Sequence, residues 1–440
     1  MSTKVGVVSL GCDKNRVDTE IMLYNLQQAG YQLTASPQDA EVIIVNTCAF
    51  LESARREAID TALEMFHFKE QGSCKKLILT GCLGQKFGKE IFDGLDEVDA
   101  VVGTNEYDRI AEIVKETLEG DRKLYNRSPE CLTFGNRVLT TPSHFAYLKI
   151  ADGCNNFCSY CLIPHIRGRF RSVPMQSLAQ QAAQLAERGV KELILVAQDT
   201  TKYGVDLYGK CSLVPLLRQL SGIEGIRRLR LLYCYPELTD EQLIREIETN
   251  DKIAKYIDIP LQHVNGGMLK AMNRKSTAEG VRRLFDRLQR SQPKIQVRST
   301  FICGFPGETP QTVEEVAEFL KRYKLRNVGF FPYSREEGTV AATMAQQVDG
   351  RKKNAYVRKL YGVQQSVVAE LLQSDVGKTY LCIVDEPCSD GKYKGRTEFM
   401  SPEIDGCVYI SSSKRLHAGD FVSVKITDKT DYDLIGEVAE

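Results

Sequence analysis

Short apolar runs alternate with stretches of helical periodicity over the first 120 residues. The runs are rich in β-branched residues and predict strands at 5–10, 42–45, 77–79 and 98–102. Apolar positions after the first run recur at helical spacing up to Gly30, and those after the second recur from Ala54 to Phe66. Alternating strands and helices predict a parallel, flavodoxin-like sheet with helices on both faces.

The same alternation continues on a larger scale between about residues 140 and 370. Six apolar runs predict strands at 145–150, 192–196, 229–233, 256–259, 296–301 and 328–331. Helical segments separate them, for example at 178–187 and 312–322. Six strand–helix units are too many for a small flavodoxin-like sheet, so they predict a partial (βα)6 barrel.

The last 70 residues show a third pattern, in which short alternating stretches are separated by turn-rich segments. The stretches at 380–384, 407–410 and 421–426 predict a small antiparallel β-barrel. The three patterns together place domains at 1–120, 140–370 and 372–440, with residues 121–140 as a linker.

Composition places the chain among ordinary soluble globular proteins. Of its 440 residues, 42% are hydrophobic, and 58 Lys+Arg balance 58 Asp+Glu, so no global basic field recruits nucleic acid. No apolar run reaches the length of about 18 residues that predicts a membrane span. The run that ends before Gly11 and Cys12 resembles a lipoprotein cleavage box, but it is shorter than the roughly 7–15 residues that an export signal needs. We therefore expect a cytoplasmic protein.

Three cysteines lie close together after a predicted strand, in Asp-Gly-Cys-Asn-Asn-Phe-Cys-Ser-Tyr-Cys at 152–161. Thiolates at such short spacing are typical of a site for a soft metal. Structural zinc sites usually show two separated cysteine pairs, and a simple ferredoxin run uses other spacing and a fourth cysteine. Cys154, Cys158 and Cys161, the loop cysteines, therefore predict a four-iron cluster with one open iron, where substrate or cofactor binds.

A second set, the strand-end cysteines, consists of Cys12, Cys48 and Cys82, each of which follows a predicted parallel strand by a few residues. In open α/β sheets, ligands bind outside the carboxyl ends of the strands. Neighbouring parallel strands would bring the three thiolates to one edge, where three thiolates again leave a cluster incompletely ligated. A single buried cysteine is common in protein cores, so the equivalence of the three positions is what predicts a second cluster.

The other eight of the fourteen cysteines show no such regularity, and we expect them to be free thiols. In a long chain without an export signal, cysteines are free, catalytic or bound to metal rather than paired in disulfides. The eight are Cys74, Cys131, Cys211, Cys234, Cys303, Cys382, Cys388 and Cys407.

Several longer stretches carry a resemblance to a known family. They lie at 9–20, 45–50, 80–85, 147–154, 163–168, 196–201, 260–263 and 300–308, the first reading Ser-Leu-Gly-Cys-Asp-Lys-Asn-Arg-Val-Asp-Thr-Glu. On these stretches the chain resembles the methylthiotransferases of the radical S-adenosylmethionine superfamily over essentially its whole length. The spacing of the loop cysteines is that of the superfamily, and the combination of six cysteines is specific to this branch.

The resemblance implies a methylthiotransferase domain, a radical barrel core and a C-terminal TRAM barrel, in agreement with the three patterns. It implies two [4Fe-4S] clusters, one on the loop cysteines that binds S-adenosylmethionine and one on the strand-end cysteines that delivers sulfur. S-adenosylmethionine would be both methyl donor and radical source, alongside an external electron donor and a sulfur source. We expect no catalytic side chain beyond the clusters, because a radical removes hydrogen from an unactivated carbon without a general base.

Strand ends at the mouth of a barrel are where cofactor contacts collect. The candidates there for binding S-adenosylmethionine are Gln198, Asp199, Arg298, Thr300 and Gly304, for which structural roles are equally compatible. Arg167, Arg169 and Arg171 either contact the substrate or form a solvated basic loop, and His263 fits a structural role better than a ligand role.

Two features favour a protein substrate. The Lys14-Asn15 and Val17-Asp18 context and the run 198–201 resemble the branch that methylthiolates the β-carbon of an aspartate in small-subunit ribosomal protein twelve. Residues 371–440 contain 13 Asp+Glu and 8 Lys+Arg, and an acidic domain suits a basic protein better than a phosphate backbone. The alternatives are methylthiolation of an adenosine near the tRNA anticodon and, outside enzymes, an electron carrier or RNA-binding module. We expect a monomer.

Overall fold

A computed structural model of the chain describes residues 2–128 and 132–439. The backbone forms two units. The first contains residues up to Thr140 together with Lys149–Val173 and Glu336–Thr339; the second contains Thr141–Leu148, Pro174–Arg335 and the residues from Val340 onward. The loop cysteines therefore belong to the same unit as the N-terminal sheet, an arrangement that the sequence pattern did not predict.

The strands and helices have the following bounds. The strands are β1 (Lys4–Ser9), β2 (Gln32–Thr34), β3 (Val42–Thr47), β4 (Lys76–Gly81), β5 (Ala100–Val102), β6 (Lys123–Tyr125), β7 (Phe145–Lys149), β8 (Ala151–Asp152), β9 (Arg171–Ser172), β10 (Glu192–Val196), β11 (Arg228–Leu231), β12 (Ile253–Asp258), β13 (Gln296–Cys303), β14 (Asn327–Pro332), β15 (Thr379–Pro387), β16 (Tyr393–Arg396), β17 (Val408–Ser411), β18 (Phe421–Lys429) and β19 (Leu434–Val438). The helices are α1 (Asp13–Gln28), α2 (Glu52–Gln71), α3 (Cys82–Gly94), α4 (Ile110–Glu119), α5 (Ile163–Arg167), α6 (Met175–Glu187), α7 (Val205–Tyr208), α8 (Leu213–Ser221), α9 (Glu241–Thr249), α10 (Gly266–Ala271), α11 (Ala278–Gln289), α12 (Pro310–Tyr323), α13 (Val340–Thr343) and α14 (Gly350–Asp375).

The sheet of the first unit contains six parallel strands in the order β2-β1-β3-β4-β5-β6. Strand β3 is buried along its whole length because both faces of the sheet are covered. Ile43 and Leu77 belong to the apolar cluster on one face, and Ile44 and Ile78 to the cluster on the other. The predicted parallel sheet is confirmed.

Two short strands of this sheet escaped prediction. Strand β2 adds to one edge, and β6 pairs in parallel with β5 at the other, with Lys123 opposite Ala100. Strand β6 lies inside the segment predicted as a linker, so that part of the prediction is wrong. Three residues are too few to show a period of two, which is why the sequence gives no signal there.

The central sheet of the second unit has the order β14-β13-β12-β11-β10-β7, in which the strands follow one another along the chain. Neighbouring strands from β10 to β14 are parallel. The sheet stays open, with β7 and β14 as its edges, as expected for a partial barrel. Helix α12 begins at a capping box in which the Thr309 hydroxyl accepts from the Thr312 N–H, and Pro310 occupies the first turn.

Helix α14 covers the edge strand β14. Gln364 donates from Nε2 to the Leu325 carbonyl oxygen at 2.7 Å, and the Tyr361 and Phe330 rings meet edge to face. The helix has 26 residues, but charged side chains interrupt it throughout its length. Across the described ranges, no helix combines the length and the hydropathy that crossing a membrane requires.

The C-terminal strands close into a barrel in the order β15-β16-β17-β19-β18. Four of the pairings are antiparallel, whereas β17 and β19 pair in parallel, with Val408 opposite Leu434. The prediction of a small barrel is confirmed, and the prediction of a purely antiparallel one is wrong. The parallel pair closes the barrel because β18 connects to β19 by a hairpin and leaves β19 beside β17.

A buried ion-pair cluster holds this barrel against the amino ends of the central strands. Glu192, the first residue of β10, accepts from Arg230 Nε at 2.8 Å and from Arg396 of β16 at 2.9 Å. Burial alone would raise the pKa of Glu192, but the Arg396 and Arg230 charges bring that pKa down to about 2. The cluster is therefore fully ionised, and each charge depends on its partners.

Further contacts repeat this arrangement around the amino end of the sheet. Tyr256 of β12 donates to Asp405 at 2.8 Å, and the side chain of Tyr147 in β7 donates to Glu403 at 2.9 Å. His144, just before β7, lies 2.8 Å from Asp385 of β15. The C-terminal barrel thus contacts several central strands through polar side chains.

We expect Arg396→Met to lower the free energy of unfolding by about 3–5 kcal/mol, because it leaves a buried carboxylate cluster short of one positive charge. Lys394→Met on the same strand is the matched control. Lys394 pairs with Glu386 at 3.5 Å in an exposed position, and its loss should change stability by less than about 0.5 kcal/mol. Urea denaturation of both variants tests this, and similar losses for the two would contradict it.

Candidate functional site

The carboxyl ends of β1, β3 and β4 carry the strand-end cysteines side by side. Cys12 lies between β1 and α1, Cys48 directly follows β3, and Cys82 is the first residue of α3 directly after β4. Strand β3 pairs with both β1 and β4. A Cβ added at Gly11 would lie 3.6 Å from Cys48 Sγ, so the loop before α1 reaches the end of β3. The structure brings the three cysteines to one edge of the sheet, as predicted.

A buried polar network fixes the backbone at these strand ends. Asn15 Nδ2 donates to the carbonyl oxygens of Leu10 at 3.3 Å and Thr47 at 2.9 Å. Asn46 Nδ2 donates to the Asn15 carbonyl at 3.1 Å and to Thr19 Oγ1 at 2.8 Å. These side chains tie the segment that carries Cys12 to the end of β3 that carries Cys48, so the separation between these two segments is set by the protein itself.

The loop cysteines begin at a tight turn that only glycine can form. Gly153 has φ +79°, and a Cβ there would lie 2.1 Å from the Arg169 carbonyl oxygen. Directly after it, the Cys154 N–H donates to the Gly168 carbonyl at 3.1 Å. The two ends of the cysteine loop therefore lie against each other, which folds the intervening residues into a compact turn.

Backbone N–H groups in this loop point at the cysteine sulfurs. The Asn156 N–H donates to Cys154 Sγ at 3.4 Å, and the Ile163 N–H donates to Cys161 Sγ at 3.5 Å. Hydrogen bonds to cysteine sulfur are among the features that stabilise and tune iron–sulfur clusters. The local backbone is therefore arranged for thiolates rather than for inert buried thiols.

Helix α5, which follows the loop, packs into the apolar core of the N-terminal sheet. Leu162 and Ile166 are fully buried in the same cluster as Ala49, Cys82 and Leu83. This packing places α5, the helix that follows the loop cysteines, against the same apolar core as Cys82. The two cysteine-bearing regions are thus joined within the first unit.

Four charged side chains are buried beneath the two cysteine sets. Arg167 Nη1 contacts Asp18 Oδ2 at 2.6 Å and Asp152 Oδ2 at 3.2 Å. Lys149 Nζ contacts Asp152 at 3.3 Å and also bonds to the second oxygen of Asp18. Burial alone would raise the pKa of Asp152, but the Lys149 and Arg167 charges hold that pKa well below its usual range.

The second terminal nitrogen of Arg167 faces a strand-end cysteine. Arg167 Nη2 donates to Asn15 Oδ1 and to Cys82 Sγ, the latter at 3.5 Å. The expectation that Arg167 belongs to a solvated or substrate-contacting loop is therefore wrong, because its side chain is only 4% exposed. Arg169 is exposed, and Arg171 donates from Nη2 to the Arg167 carbonyl at 2.9 Å.

The donor sets fit iron–sulfur clusters. Burial raises the pKa of the Cys82 thiol to about 12. Metal binding offsets the free-energy cost of ionising this thiol, because a coordinated cysteine is a thiolate. Within residues 2–128 and 132–439, no group of three or more Cys, His, Asp or Glu side chains is spaced for a single metal ion. Thiolates around a four-iron cluster bind different irons, so their sulfurs lie farther apart than ligands of one ion do.

The candidate S-adenosylmethionine contacts lie in the second unit. Gln198 and Asp199 follow β10, and Asp199 is buried with its carboxylate accepting from Thr201 Oγ1 at 2.6 Å. Thr300 lies within β13, and Gly304 follows its last residue with φ +77°. All four are in the carboxyl half of a central strand or just beyond it.

Arg298 differs from the other candidates. It is the third residue of β13 and lies 3.9 Å from both Asp258 and Asp405, beside the C-terminal barrel. Arg298 is therefore not at the carboxyl end of its own strand, but it pairs in register with Asp258, the last residue of β12. Strand β13 has eight residues and extends from one end of the sheet to the other. The sequence alone does not show which of its residues lie level with the ends of the neighbouring strands.

His263 has the structural role that the sequence favoured. Its Nδ1 accepts from the N–H groups of Val264 and Asn265, both at 2.9 Å, so its Nε2 carries the proton and donates to Glu308 at 3.0 Å. Among the other cysteines, Cys131 lies outside the described residues. The remaining seven are free thiols: Cys74, Cys211, Cys234, Cys303, Cys382, Cys388 and Cys407.

Three family models match the chain. The model described as "Uncharacterized protein family UPF0004" covers residues 4–103, the radical SAM superfamily model covers 148–320, and the TRAM domain model covers 376–439. The matches follow the N-terminal sheet, the cysteine loop with most of the central sheet, and the C-terminal barrel. The three architectures predicted from the sequence pattern are thus confirmed.

Relatives of known name match over the full length. The chain is 49% identical over 441 residues to the ribosomal protein uS12 methylthiotransferase RimO of Clostridium botulinum strain Eklund 17B, covering 99% of this chain and 98% of the relative. It is 44% identical over 439 residues to RimO of Clostridium tetani strain Massachusetts, again covering 99% and 98%. The chain belongs to the RimO family. The resemblance to methylthiotransferases read from the motifs is confirmed.

Solved structures share the fold with RimO-type chains. The radical S-adenosylmethionine methyltransferase TsrM from Kitasatospora setae, solved with cobalamin and a [4Fe-4S] cluster, gives a TM-score of 0.56 at 16% identity, covering 76% of this chain and 75% of TsrM. The cobalamin-dependent radical enzyme OxsB gives a TM-score of 0.55 at 12% identity, covering 91% and 65%. These likenesses concern the fold alone.

Sequence reasoning missed the buried charges of this RimO-family chain. Lys149 stands alone in the apolar strand Phe-Ala-Tyr-Leu-Lys, and Asp18 lies on the buried face of α1. A single charged residue in an otherwise apolar element is a signal of such a site, because a buried charge is stable only beside an oppositely charged group. Their partners are 131 and 149 residues away in the sequence, so no local pattern identifies them.

We expect Gly153→Ala to destabilise the metal-free protein more than Gly30→Ala does. Both glycines have positive φ, which costs a residue with a Cβ about 1–2 kcal/mol, but only Gly153 adds a steric clash, whereas nothing lies within 4 Å of a Cβ at Gly30. The clash should add about 1–3 kcal/mol in urea denaturation. Equal losses for the two variants would show that the cysteine loop yields to the extra methyl group.

Proposed function

We propose that this chain attaches a methylthio group to the β-carbon of an aspartate in ribosomal protein uS12; its relatives are named ribosomal protein uS12 methylthiotransferases. The observation that carries the proposal is that one compact unit holds two separate sets of three cysteines. Each set is one thiolate short of the four that saturate a four-iron cluster, so each leaves an iron open for a further ligand.

We assign the six cysteines as ligands of two [4Fe-4S] clusters. The loop cysteines hold the cluster whose open iron takes S-adenosylmethionine, and the strand-end cysteines hold the cluster that carries sulfur. When bound, these groups and S-adenosylmethionine supply the radical that removes hydrogen from the target carbon and the methylthio group that replaces it. The protein itself holds the thiolates, orients the cofactor and keeps water away from the reacting carbon.

Gln198, Asp199, Thr300 and Gly304 are the proposed contacts of S-adenosylmethionine in the central sheet. Their support is their place in the carboxyl half of central strands, where cofactors bind in folds of this type. Arg298 is a fifth proposed contact, because it pairs in register with Asp258 at the carboxyl end of β12, although its side chain also lies 3.9 Å from Asp405 of the C-terminal barrel.

A basic protein is the substrate class that the C-terminal barrel favours. Residues 371–440 carry 13 acidic and 8 basic side chains. One of the basic ones, Arg396, is buried against Glu192 and contributes nothing to the outer surface. Two acidic side chains of the same range, Asp375 and Asp405, are buried as well. The exposed surface therefore keeps an acidic excess, which opposes a nucleic-acid backbone and attracts a cationic protein.

The remaining assignments belong to the same proposal. The enzyme acts in the cytoplasm, where its substrate is made, and meets uS12 either free or within the ribosome. It works as a monomer, takes electrons from an external donor and replaces its transferred sulfur from an external source. The tRNA adenosine reaction of the sister branch is the competing outcome that the experiments below distinguish.

We expect the two cysteine sets to separate into two phenotypes. Cys158→Ala should abolish reductive cleavage of S-adenosylmethionine, because it removes a ligand of the cluster that binds the cofactor. Cys48→Ala should retain cleavage but lose methylthiolated product, because it disrupts only the sulfur-carrying set. Deoxyadenosine and modified peptide are quantified in the same reaction, with Cys74→Ala as a cysteine control in the same unit. Deoxyadenosine from Cys158→Ala, or full product from Cys48→Ala, would refute the assignments.

We expect inactivation of the gene to remove one methylthio group from uS12 and to leave tRNA nucleosides unchanged. Intact-protein mass spectrometry of the small subunit and nucleoside analysis of total tRNA measure both in one strain, with complementation by the intact gene as control. An unchanged uS12 mass together with loss of a methylthiolated adenosine would transfer the chain to the sister reaction.

A further inference from the structure

Arg167 links the helix that follows the loop cysteines to the strand-end cysteines. It ends α5, directly after the loop cysteines, and its guanidinium reaches Cys82 at the strand ends. Its side chain is only 4% exposed, so its partners are chiefly the buried groups around it. A buried arginine at such a position requires an explanation in terms of the groups around it.

The two terminal nitrogens of the Arg167 guanidinium contact different groups. Nη1 faces Asp18 at 2.6 Å and Asp152 at 3.2 Å, while Nη2 faces Asn15 and, at 3.5 Å, Cys82 Sγ. The planar fork of arginine fixes these directions together, so holding Nη1 on the carboxylates aims Nη2 at the sulfur. A lysine has no second nitrogen that could keep both contacts.

The four buried charged side chains already balance one another without Cys82. Asp18 and Asp152 carry two negative charges, which Lys149 and Arg167 match with two positive ones. The Cys82 thiolate then brings a further negative charge next to Arg167. Hydrogen bonds and positive charge at a ligand sulfur stabilise the reduced, more negative state of an iron–sulfur cluster.

We propose that Arg167 is a positioning residue for the strand-end cysteines, which raises the reduction potential of their cluster through its hydrogen bond to the Cys82 sulfur. The inference rests on the proposed function in that these cysteines hold a cluster. Asp152 keeps Nη1 anchored when the Asp18 carboxylate is neutralised, so the effect of Arg167 persists in Asp18→Asn and is lost when the fork is replaced by an apolar side chain.

The test uses the full chain with Cys154, Cys158 and Cys161 changed to alanine, so that only the strand-end cluster binds. In this background we compare Arg167→Met/Asp18→Asn with Asp18→Asn alone. The paired change removes one positive and one negative charge, which keeps the buried network neutral and protects folding. Thermal unfolding of the metal-free proteins, iron content after anaerobic reconstitution, and an EPR-monitored redox titration are the three measurements.

A matched control separates a structural role from a positioning one. Arg137 is also buried in the first unit and pairs with Glu20 on α1 at 3.0 Å, two residues beyond Asp18. Arg137→Met/Glu20→Gln should change the unfolding temperature without moving the midpoint potential. Arg167→Lys should lower the midpoint potential less than an apolar replacement does, because lysine keeps the positive charge but lacks the planar fork.

We expect the midpoint potential in Arg167→Met/Asp18→Asn to shift below that of Asp18→Asn, or the iron of this cluster to be lost from a protein whose unfolding temperature is unchanged. Equal potentials in the two, or an equal shift in the Arg137 control, would overturn the proposal. If the double variant does not fold, Arg167→Lys decides: a lower potential than the background supports the role, and an equal one overturns it. Absence of iron from the background itself would instead overturn the cluster assignment of the proposed function.

Discussion

The fully buried carboxylate of Asp18 organises the first unit. Lys149 and Arg167 converge on it from the strand before the cysteine loop and from the helix after it. A buried charge of this kind is stable only while its partners stay in place, since removing one leaves an uncompensated charge at a cost of about 3–5 kcal/mol. The loop cysteines are therefore held over the N-terminal sheet by electrostatics as well as by the packing of Leu162 and Ile166.

Strand topology explains why so much of the site is legible in the sequence. Cys12, Cys48 and Cys82 each follow an apolar run, and parallel neighbours must end at the same edge, so local patterns suffice to bring them together. Gly153 and the loop cysteines are legible for a similar reason, because the chemistry of a short loop depends on residues adjacent in the chain. The central strands lie in the sheet in the same order in which they follow one another along the chain, so their arrangement could also be predicted.

The parts that escaped prediction depend on distant partners. Arg167 reads as one of three arginines in a basic loop until Asp18, 149 residues earlier, is placed beside it. Arg298 reads as a strand-end residue until the C-terminal barrel supplies Asp405. The parallel pairing of β17 with β19 arises from barrel closure, and β6 is defined by β5 rather than by its own three residues. In each case the deciding interaction joins segments whose proximity only the fold establishes.

The buried pair of Glu192 and Arg396 joins the C-terminal barrel to the central sheet within the second unit. Under the proposed function, a uS12 segment bound to the outer face of this barrel would lie at a constant distance from the carboxyl ends of the central strands. Selection of one aspartate would then depend on how far it lies along the bound chain. An insertion of a few residues between the anchored segment and the target would shift a different side chain into range, so loop length in the partner matters as much as the identity of the residues it presents.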